Sequence, residues 1–354
     1  MFKLLKNKIN VFLIIMAMFL LIVSSGNCEA KYQFDIAANN PIWGEGGILI
    51  QFFTSSVRHA TGGEVNFNIF VGGEWSDSEE EIIQSVQFGT LDMAVVCTSP
   101  VSQYTDAIFM FDTPFLFKST LDELVLTFDS PHSHTPIVTK KLEKASEESK
   151  FMILAVSPIG KRNVSSSKPI ESVDDLKGLK IRVMNNPVQI DTYNYMGANA
   201  VPLPFSEIFT GLQLKSIDAI DGSSLDYLQQ NFYEGAPHNY VIDHLASGMS
   251  IIVSMKAWDS LPTAYQNIVR ECAISTAFNT SMWGTGSDIY LLESAIPRVA
   301  KSVTVTKITP EDKAELRELV LPKLLDKYGE KIGIDVLEAI SEGDEVITDW
   351  LAKK

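Results

Sequence analysis

Two periodicities alternate along this chain, one of strands and one of helices, through residues 31–97 and again from residue 151. No other feature restricts the fold as much. "EVNFNIFV" (64–71) sets Val65, Phe67, Ile69 and Val71 on one face, as the two-residue period of a strand requires. "KYQFDIAA" reads as an earlier strand, joined to it by a helical pattern through "GGILIQFFTSSVRHATG". "SDSEEEIIQSVQFG" is a helix with Ser76 or Asp77 as N-cap, acids in its first turn and Gly89 closing it. "LDMAVVC" is then a third, buried strand. The second series contains "FMILAVS", "LKIRVM", the helical "NPVQIDTYNYMG", "AVPLP", a helix opening at Ser206, and the strand "SIDAID". "HLASGMSIIVSMKAWDSL" returns to a strand, and residues 262–297 form a long helical stretch. Strands alternating with helices give an α/β architecture with a largely parallel sheet. Two such units, crossed more than once by the chain, predict two lobes with the ligand cleft between them.

The chain has 354 residues, enough for two medium cores. Its net charge of −15 excludes nucleic acid and anionic membrane surfaces as natural partners, because both reward basic patches. An anionic ligand must therefore be met by few, local cations. Lys3, Lys6 and Lys8, the apolar run 11–23 and "CEA" have the order of a secretory signal peptide, with cleavage after Ala30. The run's thirteen residues are short for a membrane-spanning helix. Losing three lysines and Glu29 takes the mature chain from −15 to about −17. It retains Cys97 and Cys272, read as buried free thiols, with a disulfide between them left open.

"GLKIRVMNN" (178–186) is the local anomaly. Ile181 and Val183 share one face of a short strand, and Lys180, Arg182 and Met184 share the other. A guanidinium on a sheet interior is costly unless an anion meets it. That anion is either a carboxylate of the protein or one it captures.

From residue 62 onward the chain resembles the substrate-binding proteins of tripartite ATP-independent periplasmic (TRAP) transporters. The matching stretches include "TGGEVNFNIFVGG", "IIQSVQFGTLDMAVV", "FDTPFLFKS", "GKRNVSSSKPIESVDDLKGLKIRVMNNPVQIDTYNYMGANAVPLPFSEIFTGLQ" and "NFYEGAPHNYVIDHLASG". The resemblance implies the two-lobed periplasmic binding protein fold, each lobe a β-sheet flanked by helices, with a long helix spanning both. Residues 1–30 are then the signal peptide, 31–157 plus about 247–286 lobe I, and 158–246 plus about 287–354 lobe II. It also implies a periplasmic monomer that captures a small organic acid and delivers it to the membrane subunits of a TRAP permease, with no catalysis and no cofactor.

Carried over by position, the resemblance makes Arg182 the principal salt bridge to the ligand carboxylate, with Arg162 assisting from a loop. Asn185 and Phe205 fall on pocket positions. Independently of the resemblance, Asn39, Asn40 and Trp43 follow the first strand, where loops contribute to a cleft, or else form a turn. Asp221 stands where glutamate is common and Gly222 where a ligand-contacting asparagine is common, so the identity of the acid does not transfer. A metal bridging ligand and protein is left open.

Arginine fits the task because its planar fork gives two parallel hydrogen bonds to a carboxylate and keeps its charge. Other groups have plainer readings. "HSH" (132–134) reads as solvated loop histidines without a third metal ligand. His59 reads as the polar side of a helix, His238 as a loop residue, and His244 as a structural hydrogen bond near a hinge crossing. Glu79 to Glu81 read as a solvated helix start, and "VDDLKG" as a helix or turn start. No nucleophile elbow or phosphate loop is present in the sequence. The alternatives are an extracytoplasmic receptor of a sensory system and, more distantly, an α/β enzyme.

Overall fold

The structure is a computed structural model that describes residues 30–354. The basic segment, the apolar run and Cys28 lie outside the described residues. Eleven strands are found among these residues: β1 Tyr32–Ala37, β2 Val65–Phe70, β3 Met93–Cys97, β4 Phe128–Ser130, β5 Ser133–His134, β6 Phe151–Ser166, β7 Lys180–Val183, β8 Asn199–Pro202, β9 Ala219–Ser223, β10 His238–Ser254 and β11 Thr304–Lys307. Nine of them join one sheet in the order β2-β1-β3-β10-β6-β9-β7-β8, with β11 beside β10. β1 pairs in parallel with β2 and β3, and β7 in parallel with β8 and β9.

β6 and β10 are long because they serve both halves of the molecule. They run antiparallel, Ser254 opposite Phe151 at one end and His238 opposite Ser166 at the other. The far half of β10 continues into β3, and the far half of β6 into β9. Their register breaks between Tyr240 and Leu245 and again between Ala246 and Ser247. Opposite this break Gly160 takes a φ of +63°. A side chain there would be strained, and its Cβ would press on the Glu45 and Asp288 carboxylates.

Five of the helices frame the two faces of this sheet: α1 Glu45–Ala60, α2 Glu79–Phe88, α3 Pro187–Tyr195, α4 Thr263–Tyr290 and α5 Pro310–Ile332. α1 and α4 cover one face of the first half through Leu49, Phe53, Ala273 and Ala277. Gly284 lets α4 cross β6 closely, because a Cβ there would lie 2.8 Å from the Gly160 nitrogen. α4 then runs into a π-helical turn, Leu291–Ala295. On the opposite face, α2 and α5 share a core with Ile181 and Val183 of β7.

Three local expectations are corrected. Ser78, not Ser76 or Asp77, caps α2, its hydroxyl accepting from the Glu81 amide, while Gly89 closes the helix in the left-handed conformation. Ser206 caps nothing: residues 205–207 form a single 3-10 turn that follows Pro204 and leads into the helix Ile208–Gln213. His134 is not solvated. It is buried, stacks on Phe128 at 5.1 Å, and is held neutral by burial, which lowers its pKa to about 4.

Candidate functional site

Parallel strands of an open α/β sheet leave space beyond their carboxyl ends. Here the ends of β1, β3, β7, β8 and β9 converge on one cavity of about 410 Å³. Asn39, Asn40, Glu79 and Cys97 approach from the first half, and Arg162, Arg182, Asn185, Phe205, Asp221 and Gly222 from the second. Of the candidate ligand-binding residues named from sequence, only Trp43 is absent from this lining. It is 68% exposed, and its backbone carbonyl accepts from Gln229 Nε2 at 2.6 Å, a bond that ties the two halves together.

The two arginines differ in kind. Arg162 lies in β6, not in a loop, and is 4% exposed. Its guanidinium is committed to Asp221: Nε donates to both carboxylate oxygens at 3.3 and 3.1 Å, and Nη2 to Oδ2 at 3.1 Å and the backbone carbonyl at 2.9 Å. Burial works against its charge, but Asp221 outweighs that and holds the pKa above the ordinary arginine value. His244 completes the cluster. Its Nδ1 lies 3.1 Å from the Arg162 carbonyl and its Nε2 3.4 Å from the Tyr193 hydroxyl. Burial lowers its pKa to about 4, so the ring is neutral at pH 7.

Arg182 is 5% exposed, and its Nε donates to the Leu203 carbonyl at 2.8 Å. Among the described residues no carboxylate lies within ion-pair distance of it. Burial, and then the neighbouring Arg162 charge, lower its pKa to about 10. It remains charged at pH 7, with both Nη groups free of protein acceptors among the described residues. A buried cation in this state carries an uncompensated desolvation cost and free donors.

Sequence reasoning missed the acidic side of the cavity. Glu79 is not solvated: it is buried, and its Oε1 accepts the Cys97 amide at 2.9 Å. Burial raises its pKa to about 7. Asp226, also on the lining, has its pKa raised by burial to about 6. Neither could be found by periodicity, because both sit in the first turn of a helix where acids are ordinary surface residues. Phe205 lies edge-on to Phe232 at 5.9 Å and forms the apolar end of the cavity with Ile208 and Ile220. A Cβ at Gly222 would meet no heavy atom within 4 Å, so this strand position leaves room.

Both described cysteines are free, and Cys97 Sγ rests 3.7 Å from Met249 Sδ. Among the described residues no group of three His, Cys, Asp or Glu side chains is placed to hold a metal, and no helix is long and apolar enough to cross a membrane.

Residues 39–331 match the family of bacterial extracellular solute-binding proteins, family 7 (DctP). The 2,3-diketo-L-gulonate-binding periplasmic protein YiaO of Escherichia coli is 27% identical over 83% of this chain and 87% of its own. A TRAP periplasmic solute-binding protein from Desulfovibrio salexigens, solved with orotic acid, is 26% identical. It superposes with a TM-score of 0.78 over 90% of this chain and 99% of that one. The sugar-acid-binding protein of Advenella mimigardefordensis, solved with galactonate, shares the two-lobed fold at a TM-score of 0.76 and 24% identity. That match covers 89% of this chain and 99% of the other.

Proposed function

The chain belongs to bacterial extracellular solute-binding protein family 7, and from that membership we propose that it captures a small organic acid in the periplasm by an ion pair between the ligand carboxylate and Arg182, for delivery to the membrane subunits of a TRAP permease. The observation that carries this reading is the buried Arg182 fork with no carboxylate beside it. A guanidinium on the cavity lining offers two parallel N–H donors that fit one carboxylate in bidentate geometry. The bound acids of the solved relatives, orotate and galactonate, support the same class of ligand.

Capture uses both halves. Arg182, Asn185 and Phe205 belong to one wall, and Asn39, Asn40 and Glu79 to the other. Contacts from one ligand to both walls favour the closed arrangement over the open one. The moving units are 31–157 with about 247–286, and 158–246 with about 287–354. The bend lies where Gly160 faces the register break of β10. The mature protein acts as a monomer, after removal of residues 1–30, and turns nothing over.

The test is a thermal-shift panel on the mature chain spanning C4-dicarboxylates, keto acids, sugar acids and amino acids. Members of at least one acid class raise the melting temperature of the wild type, and Arg182→Ala removes that shift while melting cooperatively by itself. Ligand shifts that survive in Arg182→Ala defeat the proposal.

A further inference from the structure

Lys161 and Arg162 are neighbours on β6, so their side chains leave opposite faces of the strand. Arg162 enters the ligand cavity, while Lys161 enters a second chamber of about 250 Å³ bordered by Leu245 and Ala246 of β10. The crossing strands, with the bend at Gly160, therefore separate a front cavity from a rear chamber. The chamber also spans both halves: Thr113 and Glu123 come from the first, and Lys161, Asp243 and Lys313 from the second.

Glu123 is 3% exposed, and among the described residues its carboxylate joins no hydrogen bond or ion pair. Lys161 Nζ also has neither. The two nevertheless act on one another: burial raises the Glu123 pKa to about 7, and Lys161 pulls it the other way. A buried acid facing a cation it does not reach is an interaction left unmade.

The other charged groups here do not span the hinge in the same way. Asp288, whose Oδ2 accepts the Lys161 amide, and Asp243 and Lys313, whose Nζ donates to the Asp243 carbonyl, belong to the same half as Lys161. Asp112, the other acid acting on Glu123, belongs to the same half as Glu123. Lys118 is held by the carbonyls of Glu342 and Gly343. A rotation of the halves therefore changes the Glu123–Lys161 distance and leaves the Lys161 distances to Asp288, Asp243 and Lys313 nearly fixed. On the ligand side the halves are shut: Gln103 Nε2 donates to the Asn185 carbonyl at 3.1 Å and Gln229 Nε2 to the Trp43 carbonyl at 2.6 Å. Swinging the front open about the crossing strands narrows the rear chamber and carries the Glu123 carboxylate toward Lys161.

We propose that Glu123 and Lys161 are a latch behind the hinge, an ion pair made in the open, ligand-free arrangement and broken when the cleft shuts. The inference rests on the reading of the two halves as moving units. The latch holds the empty protein open to entry, and closure around a ligand must overcome it, which lowers the apparent affinity.

The experiment is small-angle X-ray scattering of the ligand-free mature chain, with calorimetric titration of galactonate and orotate, at pH 8 and fixed ionic strength. The ligand-free wild type scatters as a larger particle than the shut arrangement described here. Glu123→Gln and Lys161→Met each shrink its radius of gyration and tighten binding of whichever acid binds by about threefold or more. The exchanged pair Glu123→Lys/Lys161→Glu returns both readings toward the wild type. Lys161→Met carries the test if Glu123→Gln melts non-cooperatively, because Lys161 is only half-buried. A wild type already shut without ligand, or an unchanged radius in a folded variant, overturns the latch. So does an affinity that is unchanged or weaker, and a lower melting temperature with neither change marks a merely structural role and also overturns it. If neither acid binds, the result bears on the reading of Arg182, and the ligand-free scattering alone decides the latch.

Discussion

Arg162 and Arg182 line the same cavity with nearly the same burial, yet one is finished and the other is not. On the β6–β9 side, Arg162 meets Asp221 through Nε and Nη2, and His244 and Tyr193 close over the pair. On the β7 side, Arg182 has a backbone carbonyl for its Nε and no counter-charge. The first arrangement is self-sufficient and belongs to the fold. The second leaves a buried charge without a counter-ion, a state that an incoming anion would relieve. A buried arginine is therefore informative only once its partner is known.

The difference can be broken most forcefully from the paired side. Arg162→Met leaves the Asp221 charge buried alone and costs about 3–5 kcal/mol of stability. Urea denaturation measures this, and a loss below about 1 kcal/mol would remove the distinction. Arg182→Met, by contrast, removes an uncompensated cation and leaves the stability of the ligand-free protein equal or higher. A loss comparable to that of Arg162→Met would show that Arg182 also belongs to the fold.

Arg182→Lys tests the fork rather than the charge. Lysine keeps a cation but offers no planar pair of donors, so affinity falls tenfold or more while ligand-free melting is little changed. Calorimetry with whichever acid shifts the wild type reads this directly. Retained affinity would mean that Arg182 acts as a point charge.

The smallest effect extends the comparison to buried carboxylates for which burial outweighs the pull of neighbouring cations. Burial raises Glu79, Glu123 and Asp288 to about 7 and Asp112 and Asp226 to about 6, and it raises Glu45 well above its usual range. A carboxyl whose native pKa exceeds its unfolded value takes up a proton on folding. Its contribution is complete below the unfolded value and is lost as pH rises through the native one. His134 and His244, lowered to about 4, act the opposite way below their unfolded value near 6.5, but they are fewer. The ligand-free protein should therefore melt several degrees lower at pH 7.5 than at pH 5.5. A higher melting temperature at pH 7.5 would show that these acids are ionised at little cost in the fold.

Much of this molecule was legible in the order of its residues. Ile181 and Val183 point to the core because neighbours two apart share a strand face, and that places Arg182 opposite them with no tertiary information. The same logic located α1, α2 and most strands. It failed for Arg162, read as a loop residue, because the register break at Gly160 interrupts the pattern that would have marked β6. It failed also for Glu79, since three acids opening a helix look alike until Cys97 donates its amide to one of them.

The sequence by itself determined the α/β alternation and an arginine in the middle of a strand, since both are written in neighbours one to four residues apart. Only the tertiary structure decided which arginine is already satisfied. Asp221 lies 59 residues beyond Arg162, and β9 brings it to β6 by antiparallel pairing. The cost of a buried charge depends on what surrounds it in space, and local periodicity carries no record of that.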